Sequence, residues 1–438
     1  MRSMSGAARR KDVQSGGMDA PAGGRYYEAT ERWIWPSMKR NTLLVVLIVV
    51  AGFVLVVNPL QLFNRGGPRR SAPPAAAFAS LLRFAEASWR SPEDYVLSAF
   101  ERHDLVLLGE FFKIRQNVQL VHGLLPRLYA AGIRNLGIEY ALSDDQTEID
   151  SLLSAPAWDE SRARAITFHW LVTWGYREYI DLYKAAWEVN HARPAGAQPF
   201  RIVGLNVRQN WESLKQQKDL TDPAVVASIF ANGVPEAHMA DVIDREFTRK
   251  GQKALVFCGT QHIFTRYRSQ AYEKNAAAMK LPETRRMGNI VFDRIGGRVF
   301  SISLHAPWPD EAQKSGLTYA ADGAIDALID ALPADMRSGG WSLAGTPLGA
   351  LPLGRSSYSE AGKNGRLGDL FDGYLVQGPI PGYAMVTPIP DFVSAAEAPA
   401  AGRQFPGVKP SSPPTAEQLN QAIADDLQSL AKALSQFK

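Results

Sequence analysis

Between Asp104 and Gln377 the chain repeatedly sets a short apolar run before a longer stretch of helical spacing. "DLVLLGE" (104–110), "RNLGIEY" (134–140), "FRIVGLN" (200–206), "KALVFCG" (253–259) and "RVFSISLH" (298–305) read as strands, with "DGYLVQ" (372–377) as a sixth. The intervening "IRQNVQLVHGLLPRLYAAG", "REYIDLYKAAWEVN" and "PEAHMADVIDREFTRKG" read as helices, the first closed by Gly132 as a C-cap. Strands that are apolar throughout, rather than alternating, belong to a sheet covered on both faces. The pattern therefore predicts an α/β fold, a mostly parallel sheet flanked by helices.

Outside this region the pattern changes. Residues 1–41 are rich in Gly, Ala and Arg and read as a disordered, cytoplasmic tail. "TLLVVLIVVAGFVLVV" carries no charge, and the apolar character runs on to Phe63, so 42–63 reads as a transmembrane helix that anchors the protein in a membrane. Basic residues at 9–11 tip the charge balance towards a cytoplasmic N-terminus. The bulk of a single-pass protein would then be extracytoplasmic, on the periplasmic side in a bacterium. Residues 64–78 read as a spacer, 79–380 as the α/β domain, the Pro- and Ala-rich 381–414 as a linker, and 415–438 as an amphipathic helix opening on Thr415 and Gln418.

Composition narrows the function little. A net charge of +4 over 438 residues, without a basic run interleaved with aromatics, argues against nucleic acid as a partner. Cys258 is the only cysteine, so no intramolecular disulfide forms.

The chemistry collects at the strand ends. In an open α/β sheet ligands bind beyond the carboxyl ends of the strands. Here those ends carry Glu110, Glu139, Asn206 with Arg208, Gln261 with His262, and His305. Carboxylates and imidazoles around one crevice could ligate a divalent metal, with Glu110, Glu139 and His262 as the ligands. They could also work directly as acid and base. Either route activates water, which makes Glu110, Glu139 and His262 the candidate catalytic residues. The aromatic insertion "FHWLVTWGYREYIDLYKAAWEVN" lies between the second and third strands, where insertions often wall a pocket. It adds His169, Tyr176 and Arg177 to Asn206, Arg208, Gln261 and His305 as candidate substrate-binding residues.

"LVLLGEFF", "GIEY", "HWLVTWGYREYIDLYKAAWEVN", "FRIVGLNVR" and "FCGTQHIF" follow one another in an order and at spacings that resemble the ChaN-like haem-uptake proteins. They also resemble the wider superfamily of erythromycin esterases and TIKI proteases. The resemblance covers about Asp104 to Phe264. It implies a parallel-sheet α/β fold whose site combines a Gly-x-x-His after the first strand, a Glu on the second and a later Gly-x-x-His. Glu139 then matches the strand-two Glu, and Gly259–His262 the later motif. Glu110 matches the Glu of the first, and Asn206 with Arg208 the polar cluster after the third strand. The first motif departs from the pattern: its histidine position holds Phe112, or Lys113 with one more spacer. The resemblance implies an esterase- or peptidase-type hydrolase acting on a small molecule or peptide. The alternatives are a non-catalytic haem- or iron-binding protein, with Tyr176, Tyr179 or Tyr183 as an axial ligand, and a degenerate scaffold.

Overall fold

The structure is a computed structural model and describes residues 68, 70–71, 73–215, 219, 221–311, 316–361, 364–405 and 413–437. Seven strands form its main sheet: β1 (Leu105–Glu110), β2 (Asn135–Leu142), β3 (Arg201–Asn206), β4 (Ala254–Gly259), β5 (Val299–Leu304), β8 (Gly339–Ser342) and β9 (Gly373–Val376). The short β6 (Trp308–Pro309) and β7 (Leu317–Thr318) pair separately. The sheet order is β3-β2-β4-β1-β5-β9-β8, parallel throughout except for the antiparallel edge strand β8. A mixed α/β fold with a mostly parallel sheet flanked by helices is thus observed.

The apolar runs are continuous because both faces of the sheet are covered. Val106, Leu108, Ile138, Tyr140, Leu255 and Phe257 pack into one core layer, which includes helices Arg115–Ala130 and Arg177–Ala192. Leu105, Leu107, Val203, Val256 and Cys258 pack into the opposite layer with helices Pro235–Ile243 and Met287–Ile295. Burial pushes the Cys258 thiol well above its ordinary range, as befits an inert core residue.

The strand ends come into line through the register. Glu110 pairs with Gly259 across β1 and β4, and Leu142 with Asn206 across β2 and β3, after an irregularity beyond Ile138. All the carboxyl ends of the parallel strands therefore share one edge.

Two expectations are corrected. Among the described residues no helix is long and apolar enough to cross a membrane, which overturns the transmembrane anchor and, with it, the single-pass extracytoplasmic placement. The segment 42–63 on which that anchor was placed lies outside the described residues, as do 1–41. A hydrophobic run alone satisfies the length rule for a span but does not by itself establish one.

The described part of 381–414 is packed along the domain. Val386, Ile389, Phe392 and Val393 are buried. Val386 N–H donates to Lys113 O at 3.0 Å, and Ile389 N–H to Gly175 O at 2.8 Å. The C-terminal helix Ala416–Leu434 opens on a Thr415/Gln418 capping box and buries Leu419, Ile423, Leu427, Leu430 and Leu434. Leu419, Ile423 and Leu427 join the first core layer, while Leu430 and Leu434 pack next to Ile114, Ala306 and Tyr319.

Candidate functional site

Two polar clusters occupy the carboxyl edge, one on each side of the sheet. On the first side, Glu110 at the end of β1 is almost fully enclosed. Its Oε1 accepts a hydrogen bond from the Tyr140 hydroxyl and another from the Tyr179 hydroxyl at 2.8 Å. Its Oε2 has no hydrogen-bond partner among the described residues. Burial drives the Glu110 carboxyl well above its ordinary range; the two tyrosines and Lys113 oppose the shift, and the charge of Glu139 adds to it. Glu110 is therefore held as a neutral acid to unusually high pH.

Lys113 follows on the same loop with a left-handed backbone, φ 70°. Its N–H donates to the Tyr179 oxygen at 3.0 Å. Its ammonium pairs with Asp426 of the C-terminal helix and lies 4.9 Å from the Trp174 ring centre and 5.4 Å from that of Tyr176. The Tyr176 hydroxyl donates to the same Asp426 oxygen at 2.9 Å.

On the second side, Glu139 and His262 meet. Glu139 Oε2 accepts the Gly259 N–H at 2.8 Å, and Oε1 faces His262 Nε2 at 3.2 Å, an ion-pair distance that falls short of hydrogen-bond geometry. His262 Nδ1 is 2.9 Å from Glu236 Oε2. Glu236 also accepts from Arg286 Nη1 at 2.5 Å and from the Met287 N–H at 2.7 Å. Arg286 Nη2 donates to Gln261 Oε1 at 2.6 Å, and the guanidinium lies 3.6 Å from the Tyr272 ring centre. Burial opposes charge on His262, but Glu139 and Glu236 outweigh it and raise its pKa to about 10. Burial likewise opposes charge on Glu236, yet His262 and Arg286 bring it down to about 2.

These shifts fix how the second cluster responds to pH. The stability it gains from Glu236 is complete above the ordinary carboxyl value of 4.5 and is lost as pH falls towards about 2. The part from His262 is complete below its ordinary value of 6.5 and is lost as pH rises through about 10. The denaturation midpoint should therefore decline between pH 6.5 and 10 more steeply in the wild type than in His262→Gln. Urea titrations across that window check this; parallel alkaline limbs would show that His262 is not held as a cation.

A cleft of about 40 Å³ opens between the clusters, lined by Glu110, Lys113, Gly259, Gln261, Asp426 and Leu430 among others. Phe112 takes part in its wall, its ring edge-on to Trp174 at 5.5 Å. Gly259 leaves room for that ring: a Cβ there would lie 2.5 Å from Phe112 Cζ, although the backbone, φ −61°, suits any residue. Gly259→Ala should destabilise the fold by about 1–3 kcal/mol through this clash alone. Combining it with Phe112→Ala should recover part of the loss in a double-mutant cycle; strict additivity would place the ring elsewhere.

The structure thus unites Glu139 with His262 but sets Glu110 in a separate cluster. Gln261 lines the cleft and is held by Arg286. Asn206 Nδ2 donates to the Glu139 carbonyl at 3.2 Å and so ties the end of β3 to β2. Tyr176 reaches the cleft through Asp426. Arg177 pairs with Glu160 at 2.8 Å, and His169 with Asp145 at 3.1 Å, both partly exposed. Arg208 donates to the His169 carbonyl at 3.2 Å. His305 is fully buried between Tyr374 (3.0 Å) and Asp326 (3.4 Å), and is not among the residues lining the cleft. Glu236, Arg286, Tyr140 and Asp426 complete the clusters without having stood out in the sequence.

Neither a metal nor haem fits this donor set. Among the described residues no group of three or more His, Cys, Asp or Glu side chains could hold a metal ion. His262 is held as an imidazolium, and its nitrogens face carboxylates rather than offering lone pairs. Tyr176 and Tyr179 are engaged with Asp426 and Glu110, and burial pushes both phenols well above their ordinary range, away from the phenolate that ligates iron.

No family model and no curated protein matches the chain. Among solved structures it is similar to an erythromycin esterase mutant in its open conformation, at 14% identity and TM-score 0.43, covering 68% of this chain and 98% of that one. It is similar to a succinoglycan biosynthesis protein, at 9% identity and TM-score 0.46, covering 72% and 99%. It is also similar to the cofacially haem-binding ChaN of Campylobacter jejuni, at 13% identity and TM-score 0.32, covering 49% and 86%.

Proposed function

We propose that the protein is a metal-independent hydrolase of small esters or amides in which Glu110 is the acid–base residue. One observation carries this reading: a buried carboxyl whose pKa burial raises well above its ordinary range is among the residues lining the cleft, with one enclosed oxygen unpartnered among the described residues. Strongly shifted acids in clefts are where proton transfer is performed. Glu110 donates its proton to the substrate carbonyl oxygen as water adds, and takes one back from the added water. As the tetrahedral adduct collapses, the carboxyl gives its proton to the leaving oxygen or nitrogen and takes one from an adduct hydroxyl, so the alcohol or amine departs neutral and Glu110 ends protonated as it began.

Glu139 and His262 act here as positioning residues. Glu139 holds the Gly259 N–H, while Glu236 and Arg286 hold His262 and Gln261, so this cluster fixes the rim from Gly259 to His262. Phe112, where the resembling family has histidine, closes part of the cleft instead of supplying a second base.

The experiment is a pH–rate profile for the purified protein on small nitrophenyl esters. A limb governed by a group above the ordinary carboxyl range, absent in Glu110→Gln, is expected. A wild type without turnover on esters and amides alike would leave a binding pocket, the reading that Phe112's occupation of the wall favours.

A further inference from the structure

Lys113 lines the cleft with its side chain 8% exposed, and its ammonium is satisfied by an unusual set of groups. Two aromatic faces, Trp174 and Tyr176, lie within cation–π reach. The remaining partner is the Asp426 carboxylate, which also accepts the Tyr176 hydroxyl. Asp426 arrives from the C-terminal helix, more than 300 residues away in the chain, and together with Leu430 it forms part of the cleft wall. Lys113 itself stands in a left-handed backbone conformation that a non-glycine residue adopts at a cost, a form of strain that gathers at ligand-binding sites. Its backbone N–H is linked through the Tyr179 oxygen to Glu110, so the main chain that carries the ammonium is tied to the acid.

We propose that Lys113 Nζ, held from behind by the Trp174 face, and the Tyr176 hydroxyl form a carboxylate-binding subsite, filled in cis by Asp426, so that the ligands of the cleft are small molecules bearing a carboxylate. The inference rests on reading the cleft as a substrate site and names the substrate class. A ligand seated there replaces Asp426 on Lys113 and sets the rest of its body towards Glu110. The C-terminal helix thereby competes with substrate, and its displacement regulates entry. One ammonium and one hydroxyl match the two oxygens of a carboxylate; a phosphate would bring a further oxygen and charge into a narrow cleft without a second cation among the described residues that line it.

The test uses binding rather than turnover, so it fails or succeeds independently of the hydrolase reading. Thermal unfolding of the full chain is followed in 100 mM propionate, in inorganic phosphate and in chloride at matched ionic strength. In Asp426→Ser, which vacates the seat, propionate should raise the midpoint by about 3 °C over chloride, against less than about 1 °C in the wild type. The shift should vanish in Lys113→Gln/Asp426→Ser. Equal propionate shifts in wild type and Asp426→Ser, persistence of the shift in the double variant, or a larger shift with phosphate would each overturn the proposal. Should Asp426→Ser fail to fold, Asp426→Asn removes the charge while keeping the side chain's shape, and the same differences are expected of it.

Discussion

Glu110→Gln is expected to lower kcat/KM for ester hydrolysis by about 10²–10⁴-fold while leaving the fold intact. The amide keeps the size of the carboxyl, and its oxygen can still accept from Tyr140 and Tyr179. What it loses is the exchangeable proton. Stability should move the other way. Because the folded state raises the Glu110 pKa, the folded protein keeps that proton while the unfolded chain gives it up. Glu110 thus lowers stability progressively as pH rises above the ordinary carboxyl value of 4.5. Glutamine removes this penalty, so at neutral pH the denaturation midpoint of Glu110→Gln should equal or exceed that of the wild type. Activity and stability measured on one preparation separate a chemical role from a structural one. Unchanged turnover would show that Glu110 moves no proton in the reaction, and a collapsed midpoint would show that its role is packing.

The carboxyl-edge convergence was legible because its signal is local. Five apolar runs end in Glu110, Leu142, Asn206, Gly259 and Leu304, with Glu139 three residues before the end of β2, and a parallel sheet brings such ends together whatever their order. The division of those residues between two faces was less legible, since it depends on the pairing register, and a one-residue slip there moves a strand's whole side-chain set to the other face. Glu236 was hidden for another reason. It follows Pro235 at a helix start, where a carboxylate is commonplace, and only the tertiary approach of His262 and Arg286 gives it a role. Arg286 sits in "ETRRMGN", which reads as a solvated charge run, and Asp426 is a polar residue bordering the apolar face of the C-terminal helix, where its charge reads as a solvated edge. The edge strand β8 escaped notice because "GGWS" has no apolar pattern; a Cβ at Gly340 would lie 2.3 Å from the Tyr95 ring, so its glycines answer to helix packing. The stretch after residue 381 reads as linker through its prolines, yet Phe392 covers Gly175, where a Cβ would come within 2.4 Å of the ring.

The largest loss of stability is expected from Arg286→Met, about 3–5 kcal/mol by chemical denaturation. The second cluster holds two carboxylates, Glu139 and Glu236, against two cations, His262 and Arg286. It is balanced only while all four remain, and the side chains of Glu236 and Arg286 are 3% and 2% exposed. Methionine fills much of the volume of the arginine stem but leaves Glu236 facing a single cation inside the protein, and it leaves the Gln261 oxygen without its donor. A loss of that size is a large fraction of the 5–15 kcal/mol typical of a folded domain. Arg286→Lys should fall between, since it keeps the charge but cannot reach Glu236 and Gln261 with one planar fork or lie as well against Tyr272. In Glu236→Gln/Arg286→Met the surplus charge disappears, and the double variant should be more stable than the sum of the two single losses predicts. A single-variant loss below about 1 kcal/mol would be that of a hydrated surface pair, and the rim from Gly259 to His262 would then owe its position to packing rather than to charge.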